Sequence, residues 1–308
     1  MITKLPYTIE NQITLLKQRG MLFRDEVFAA NLLKNISYYR LKGYWWDMQS
    51  DCTLHTFKPD TYFEDIIDRY DFDRSLRLIL FDAIERIEIA LRTKMIYHLS
   101  ISHNSLWYLN TSLFENTMIN VNGVTKTLHR NITKELQREL DRSQEIFMKD
   151  HRDRYPDKHA DAWKALEVAS LGTLSKLYKC LQNQLPEKAS IANEMGLNST
   201  AVLSSWLESI TYIRNIIAHH SRLWSRNMAK KPIDQLNNPS GKWFISPLVP
   251  VQSKKVFLII SCMIYLCNKI APEHQIKSKI LSLFEIYPSI PLYKLGFLND
   301  WDKEPIWK

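Results

Sequence analysis

The stretch of sequence that decides the fold is residues 71–99, DFDRSLRLILFDAIERIEIALRTKMIYHL. Its apolar side chains recur at alternating spacings of four and three residues, in a stripe that consists of Phe72, Leu76, Ile79, Ala83, Ile87 and Ala90, widened by Leu80, Ile84 and Leu91. This spacing follows the 3.6-residue period of an α-helix. Glu88 and Arg92 on its flank are spaced for an ion pair. We therefore predict one long core helix of a bundle, from about Asp71 to Leu99.

Helices are also predicted on both sides of this stretch. Thr8 has the position of an N-cap for a helix that ends near Arg19, and a second helix follows from about Asp25 to Ile36. Further helices are predicted at 162–185, from Asn198 or Ser199 to about Trp224, and at 253–269. Glycine is scarce, with 7 residues in 308, which disfavours a fold built on glycine turns. The expected fold class is all-α, a helical bundle with a small helical N-terminal unit.

Breaks in the helical pattern give the expected domain organisation. Turn signals at residues 51–61 separate an N-terminal helical unit, residues 1–60, from a helical domain at residues 61–287. Residues 288–308 are expected to form an irregular C-terminal tail.

Three segments inside the helical domain differ from the core helices. Residues 101–124 and 232–250 are predicted to be irregular, because turn-forming residues are dense there. Residues 126–164 interleave ten basic with eight acidic side chains. This pattern predicts a charged helical insertion at about 125–160, exposed to solvent and stabilised by i,i+4 pairs.

The charge balance favours a polyanionic partner. Lys and Arg number 41 against 33 Asp and Glu, which gives a formal net charge of +8. Residues 214–242 concentrate this excess, because they contain six basic side chains and one acidic side chain.

Cysteine usage and apolar runs favour a cytoplasmic protein without a membrane partner. The cysteines (Cys52, Cys180, Cys262 and Cys267) form no C-x-x-C pair, so buried, reduced thiols are expected. Residues 1–6 show no signal-peptide pattern. The longest apolar run, residues 256–267, is shorter than the ~20 residues that a membrane-spanning helix needs.

The chemically most informative segment is residues 214–224, RNIIAHHSRLW. At about 100° per residue, a helix through this segment places Asn215, His219 and Arg222 on the side away from the apolar arc. An exposed histidine flanked by an amide and an arginine is less often structural than a lone histidine. His220 points toward the apolar side, where a packing role is expected, although adjacent histidines exchange roles if the helix is distorted.

Arg214 does not fit this arrangement, because ideal helical geometry places it about 140° from His219 and inside the apolar arc. Two explanations stay open. A buried guanidinium needs an acid, which Glu85 or Glu88 would supply. Alternatively, Arg214 lies at a subunit interface and reaches the site from there.

These side chains are the ones needed to cleave RNA without a metal. RNA carries its own nucleophile, the 2′-hydroxyl, so a ribonuclease need only move protons and neutralise the phosphate. Histidine suits the proton transfer because its ordinary pKa of about 6.5 lies near working pH. Arg214 and Arg222 would stabilise the transition-state charge, and Asn215 would orient the phosphate or the imidazole. The catalytic candidates are Arg214, Asn215, His219 and His220.

Patterns for other chemistries do not occur in the sequence. It contains no H-E-x-x-H, no paired cysteine motif, no clear carboxylate cluster and no glycine-rich phosphate loop. We therefore expect neither a metal nor a cofactor.

Two parts of the chain are candidates for RNA binding. The basic segment contributes Arg222, Arg226, Lys230 and Lys231, and the stretch YYRLKGYWW at residues 38–46 contributes Tyr38, Tyr39, Arg40 and Lys42. A stacking platform for RNA bases is one reading of this aromatic stretch, and a packed aromatic hinge is the other. Binding through phosphates should depend strongly on salt.

Spacing alone does not select the motif, since Arg92–His98 and Arg154–His159 also match R-x4-6-H. The extended form of residues 214–224, Arg-Asn-x-x-Ala-His-His-x-Arg-Leu-Trp, resembles the signature of HEPN ribonucleases in the form carried by bacterial abortive-infection (Abi-like, AbiD/AbiF type) proteins. The other blocks that resemble this family are Tyr38-Tyr39-Arg40-Leu41-x-Gly43-Tyr44, Phe72-Asp73-x-x-Leu76-Arg77, Ile84-Glu85-Arg86-x-Glu88-x-Ala90-Leu91-Arg92, Trp163-x-x-Leu166-Glu167 and Gly172-x-Leu174-Ser175. They cover about residues 5–285 in the expected order, and Ala162 stands where the family often has proline.

The resemblance implies a HEPN-type helical bundle and an endoribonuclease activity in anti-phage, abortive-infection defence. It also implies a homodimer, whose active site is formed where two copies of the motif face each other. RNA is the implied partner, both as a target and as a small structured noncoding RNA that restrains the nuclease as an antitoxin would; DNA is not expected. The main alternative is a non-catalytic RNA-binding module that holds the noncoding RNA. A purely structural dimerisation protein would leave the exposed basic arc around His219 unexplained.

Overall fold

The structure, a computed structural model, describes residues 6–235, 237–239, 241–245 and 247–308. These residues are mostly helical and their sheets have two strands each, which confirms the predicted all-α class. The α-helices are α1 (Ile9–Gln18), α2 (Glu26–Ile36), α3 (Tyr38–Trp45), α4 (Phe63–Ser102), α5 (Leu128–Arg142), α6 (Ile146–Arg154), α7 (Ala162–Ala165), α8 (Leu171–Cys180), α9 (Pro186–Glu194), α10 (Thr200–Ala218), α11 (Pro250–Lys254), α12 (Val256–Ile270) and α13 (Ile276–Ile286).

The strands of the described residues form short antiparallel pairs. These pairs are β1 (Gln49–Asp51) with β2 (Thr56–Phe57), β3 (Met118–Val121) with β4 (Val124–Thr127), and β5 (Asn237–Asn238) with β6 (Gly241–Lys242). Single turns of 3-10 helix occur at Trp46–Met48, Trp107–Leu109, Thr111–Leu113, Leu292–Leu295 and Trp301–Lys303.

The β3–β4 hairpin corrects the prediction of an irregular segment at 101–124. Its two-residue turn consists of Asn122 and Gly123, with φ angles of 53° and 81°. Such a turn requires left-handed backbone at both positions, and Asn-Gly is a pair that adopts it readily. The Asn-Gly pair was therefore the sequence signal for this hairpin.

The first two helices begin at the residues that the capping pattern predicts. The Thr8 hydroxyl accepts a hydrogen bond from the Asn11 N–H at 3.2 Å, and the Asp25 carboxylate accepts one from the Phe28 N–H at 2.9 Å. Gly20 follows α1 with a φ of 90°, the left-handed conformation that commonly follows a helix.

Helix α4 is longer than predicted, and its apolar stripe is buried as expected. The fully buried members of the stripe are Phe72, Leu76, Leu80, Ala83, Ile87 and Leu91. Glu88 and Arg92 form the predicted i,i+4 ion pair at 2.9 Å. Side chains buried all along its length explain how one helix of 40 residues is stabilised.

The single helix predicted at 162–185 is wrong, because α7 and α8 are separated there. The Arg92 guanidinium donates hydrogen bonds to the carbonyl oxygens of Leu166 and Ala169, which lie in this interruption. The partner is more than 70 residues away in the chain, so local sequence does not reveal it. Helix α13 was also missed.

Contacts divide the chain into two compact units. The first consists of the residues up to Ile79 with Arg222–Trp224 and Ser278–Pro291. The second consists of Leu80–Ser221, Ser225–Lys277 and Leu292–Lys308. Segments that are distant in the chain thus join the first unit.

Helix α8 of the second unit is held at both ends by side chains. At its N-terminus, the Glu139 carboxylate accepts hydrogen bonds from the Ser170 N–H at 3.2 Å, the Ser170 hydroxyl at 2.9 Å and the Thr173 hydroxyl at 3.1 Å. At its C-terminus, Lys188 is 2% exposed and donates to the Leu181 carbonyl at 2.6 Å. Burial lowers the pKa of Lys188. These contacts fix the position of α8 along its axis.

In the first unit, the buried Asp73 carboxylate joins three separate parts of the sequence. It accepts hydrogen bonds from the Tyr44 hydroxyl at 2.8 Å, the Leu223 N–H at 3.1 Å and the Trp224 N–H at 2.7 Å. Arg77, one turn along α4, lies 3.3 Å away as an ion-pair partner. Burial and the Asp73 charge raise the pKa of Tyr44, so its hydroxyl remains a donor. Asp73 therefore fixes the segment that directly follows the histidine pair in sequence.

We predict that Asp73→Ala lowers the free energy of unfolding by about 3–5 kcal/mol, because it leaves Arg77 and two backbone N–H groups buried without an acceptor. Urea denaturation measures this change. Asp82→Ala is the matched control, since Asp82 also pairs with an arginine at i+4 on α4 but is 30% exposed. The control should lose no more than about 0.5 kcal/mol, and an equal loss in both variants would contradict the role of Asp73.

Candidate functional site

Helix α10 carries the motif and ends at Ala218, so the prediction that it continues to about Trp224 is wrong. His219 is its C-cap residue and has an ordinary backbone conformation, with φ −89° and ψ 12°. Arg222 therefore does not lie beside His219 on a continuous helix, as the periodic pattern predicted.

The end of α10 is a Schellman turn built on His220. The His220 N–H donates to the Ile217 carbonyl at 2.8 Å, and the Ser221 N–H donates to the Ile216 carbonyl at 2.9 Å. His220 has a φ of 53°, the left-handed conformation that this turn requires and that glycine usually supplies. The sequence did not reveal the end of the helix because a histidine occupies the glycine position.

Both histidines are exposed to solvent at this helix end. In the described part of the chain, no side chain forms a hydrogen bond or an ion pair with the His219 imidazole. An imidazole in this position is accessible to a ligand on its outer side.

Arg214 and Asn215 line a cleft of about 640 Å³. Helix α5 contributes Glu135, Arg138, Glu139, Asp141 and Arg142 to it, and α8 with its N-cap contributes Ser170, Gly172, Thr173 and Lys176. The cleft thus lies where three helices of the second unit meet. Neither His219 nor His220 is among its lining residues.

Arg214 is half-buried, and its charge acts on Glu88. Burial raises the pKa of Glu88, while the positive charges of Arg92 and Arg214 oppose this rise. Glu85, the other acid considered as a partner, is exposed. Glu88 thus supplies the nearby negative charge, and Arg214 also lines the cleft.

The cleft offers hydrogen-bond donors to an anion, and its four cationic side chains outnumber its three carboxylates by one. Arg214 offers guanidinium donors and Asn215 an amide, while the Glu139 carboxylate is already bonded to Ser170 and Thr173. A phosphate in the cleft would meet donors of two kinds on adjacent residues of α10. The exposed imidazole of His219 lies further along the same helix.

The candidate RNA-binding residues of the basic segment have different surroundings. The Arg222 guanidinium, in the first unit, donates to the Trp224 carbonyl at 2.5 Å. Lys230 forms an ion pair with Glu208 at 2.5 Å. Lys231 is exposed and Arg226 is half-buried. Of these four side chains, Lys231 is the one whose charge is most accessible.

Gly43 gives Arg222 room to lie against α3 in the first unit. A Cβ atom at position 43 would lie 3.0 Å from the Arg222 Nε, a tight contact that would require the arginine side chain to shift. The glycine in the block Tyr38 to Tyr44 therefore has a steric reason.

The aromatic stretch at residues 38–46 divides between the two readings. Tyr44 and Trp45 are buried, as a packed hinge requires, and Tyr38 accepts a hydrogen bond from Arg19 at 2.9 Å. Tyr39 is 81% exposed and Trp46 51% exposed. The Lys42 ammonium lies between them, 6.0 Å and 5.6 Å from their ring centroids. Arg40 lies over the Tyr70 ring, 5.8 Å from its centroid.

The two other R-x4-6-H matches are used differently. Arg92 is buried among backbone carbonyls and Glu88, and His98 pairs with Glu194 at 2.8 Å. Arg154 ends α6 and pairs with Asp150 at 2.7 Å, while His159 is exposed. Neither match places its arginine in the cleft that Arg214 lines.

Sequence reasoning missed the contribution of α5 and α8 to the cleft. Glu139, Ser170 and Thr173 line it and are bonded to one another, and Arg138 and Arg142 line it from α5. The charged insertion was expected to be a solvated helix, since its charges alternate in sign. The repeated basic residue every four positions, from Arg130 to Arg142, was the available signal.

Neither a membrane-spanning helix nor a metal-binding cluster occurs among the described residues. None of their helices is both long and apolar enough to cross a membrane. No group of three or more His, Cys, Asp or Glu side chains among them is placed to hold a metal ion.

We predict that His220→Gly raises the free energy of unfolding by about 0.5–1 kcal/mol, because glycine adopts the left-handed conformation without strain. Chemical denaturation measures the change. His219→Gly is the matched control, since its backbone is in an ordinary region and should gain nothing. The assigned turn would be contradicted if His220→Gly gained no more stability than the His219→Gly control.

Most of the chain matches a known protein family. Residues 31–225, more than half of the chain, match the family model of the Abi-like proteins. No curated protein and no solved structure matches the chain. The matched span includes Tyr44, Asp73 and the whole motif segment up to Trp224. The chain therefore belongs to the Abi-like protein family, which suggests a role in abortive-infection defence.

Proposed function

We propose that the protein is a HEPN-type endoribonuclease that cleaves RNA without a metal ion in abortive-infection defence. The observation that carries this proposal is the arrangement on α10. Arg214 and Asn215 line a cleft within the size range of ligand sites, and the exposed His219 ends the same helix. Membership of the Abi-like family supports the biological setting.

The proposed reaction uses the 2′-hydroxyl of RNA as the nucleophile. A bond forms between the 2′-oxygen and phosphorus, and the bond from phosphorus to the 5′-oxygen breaks. The 2′-hydroxyl loses a proton to a base and the 5′-oxygen gains one from an acid. The products are a 2′,3′-cyclic phosphate and a 5′-hydroxyl.

Each motif residue has a role in this reaction. His219 transfers protons, which typically contributes 10²- to 10⁴-fold to the rate, and the adjacent His220 supplies a second imidazole. Arg214 stabilises the charge on the phosphate in the transition state, and Asn215 orients it.

The proposed RNA partners are a target RNA and a small structured noncoding RNA that restrains the enzyme. The net charge of +8 supports a polyanionic partner. A homodimer is proposed because Arg214 lines the cleft while His219 does not. Two copies facing each other would bring Arg214 of one chain to His219 of the other.

We predict that His219→Ala abolishes RNA cleavage and phage protection without unfolding the protein, because His219 is exposed and supports no other side chain. His159→Ala is the control, since it removes an exposed histidine from a competing R-x4-6-H match. Cleavage of a labelled RNA, with analysis of the product ends, measures the effect. The wild type and the control should both leave 2′,3′-cyclic phosphates in the presence of EDTA.

Two results would contradict this proposal. Full phage protection by His219→Ala would favour the non-catalytic RNA-binding module. Complete loss of wild-type cleavage in EDTA, restored by magnesium, would refute the metal-independent reaction.

We predict that inactive His219→Ala and Arg214→Ala chains recover activity when they are mixed. Half of the dimers are then mixed, and each has one complete composite site, so about a quarter of wild-type cleavage should return. Mixing His219→Ala with the double variant His219→Ala, Arg214→Ala is the control and should give no cleavage. A wild-type monomer, shown by light scattering, that keeps full activity on dilution would refute the composite site.

A further inference from the structure

Helix α5 carries a basic ridge of four exposed side chains, Arg130, Lys134, Arg138 and Arg142. They recur every four residues, so they lie on one side of the helix. At a rise of about 1.5 Å per residue, neighbours are about 6 Å apart and the ridge is about 18 Å long. This regular row of charges has a spacing comparable to that of phosphates along a nucleic-acid strand.

None of the acids of α5 forms an ion pair with a ridge side chain, because each has another hydrogen-bond partner. Glu135 accepts from Lys176 at 2.7 Å, and Asp141 accepts from Gln137 at 2.8 Å. The Glu139 carboxylate is bonded to Ser170 and Thr173 at the N-terminus of α8. Of these three carboxylates, Glu135 is paired with a cation, and the other two accept from neutral groups.

The ridge side chains themselves have no acid partner among the described residues. Arg142 donates its Nε to the Arg138 carbonyl at 3.1 Å, which leaves the rest of its guanidinium available. Elsewhere in the same unit, Lys94, Lys179 and Arg154 each pair with a carboxylate at 2.9 Å or less. Like charges at i,i+4 repel one another, so the ridge is a local cost to α5 that folding alone does not explain.

The ridge leads into the cleft that contains the motif residues. Arg138 and Arg142 line this cleft together with Arg214 and Asn215 of α10. A strand whose phosphate lies at Arg214 would therefore have its neighbouring phosphates near α5.

We propose that the basic ridge of α5 binds the phosphate backbone of the RNA strand, an assignment that rests on the proposed ribonuclease function. The ridge binds by charge and contributes no base recognition, since arginine and lysine on a helix surface contact phosphates without reading sequence. A compact anion such as inorganic phosphate would contact one or two of the four side chains. A row of four matches a polyanion whose charges follow one another.

The test is RNA binding by the full chain at several salt concentrations. Binding is measured by fluorescence anisotropy with a labelled single-stranded RNA. The RNA carries 2′-O-methyl groups, which prevent cleavage during the measurement. The ridge variant is Arg138→Gln with Arg142→Gln. The matched control is Lys149→Gln with Lys254→Gln, which removes the same charge from exposed positions on α6 and α11.

Each phosphate contact on a single strand contributes about 0.7 to the slope of log K against log salt, so the ridge variant should lose about 1.4. In about 0.1 M salt this corresponds to roughly twentyfold weaker binding. The control should keep the wild-type slope. Thermal unfolding of both variants should match the wild type, because all four replaced side chains are exposed.

An unchanged slope in the ridge variant, or an equal change in the control, would overturn the proposal. Cleavage of unmodified RNA by the wild type is scored in parallel. Cleavage with an unchanged slope refutes the ridge alone, whereas a flattened slope without any cleavage supports the ridge and refutes the nuclease.

Discussion

The Asp73 carboxylate is the contact on which the first unit depends, because it is a buried charge whose partners come from three distant parts of the chain. Tyr44 reaches it from α3, and the N–H groups of Leu223 and Trp224 reach it from the segment after the motif helix. A buried carboxylate is tolerated only when its oxygens are hydrogen bonded. The residues that satisfy Asp73 are therefore constrained together, although they lie far apart in the sequence.

The second unit uses a carboxylate for a different purpose. Glu139 occupies the N-terminus of α8, where a negative charge is favourable, and its bonds to Ser170 and Thr173 keep it there. A carboxylate bound in this way competes less for the arginines of the same cleft. Helix α5 has four Lys or Arg side chains and three acidic ones, so its surface keeps a net positive charge.

Local sequence predicted the parts of the structure that local forces determine. The caps at Thr8 and Asp25 and the stripe of α4 follow from hydrogen bonding and periodicity within a few residues. The break between α7 and α8 depends on Arg92, and the end of α10 on a histidine in a conformation usual for glycine. Neither the break nor the helix end is marked by an ordinary helix-ending residue in the local sequence.

The candidate site also contains residues that local sequence predicted and residues that it did not. Arg214 and Asn215 were identified from the motif, while the α5 wall was not, because helices distant in sequence form the cleft together. Periodicity assigns a residue to a face of its own helix but does not say which helix it meets. Arg214 lies beside Asn215 in the cleft although periodicity places it in the apolar arc. Its placement depends on which helices meet α10, and periodicity does not predict that.

The reactivity of the buried Lys188 side chain can report how often the structure around it opens locally. Its contacts with the Leu181 carbonyl and the Asn183 side chain, at 2.6 Å and 2.9 Å, hold it away from solvent behind α8. An amine-reactive reagent reaches such a lysine only when the turn between α8 and α9 opens. The rate at which Lys188 is acylated, compared with that of an exposed lysine, therefore measures how often the turn between α8 and α9 opens.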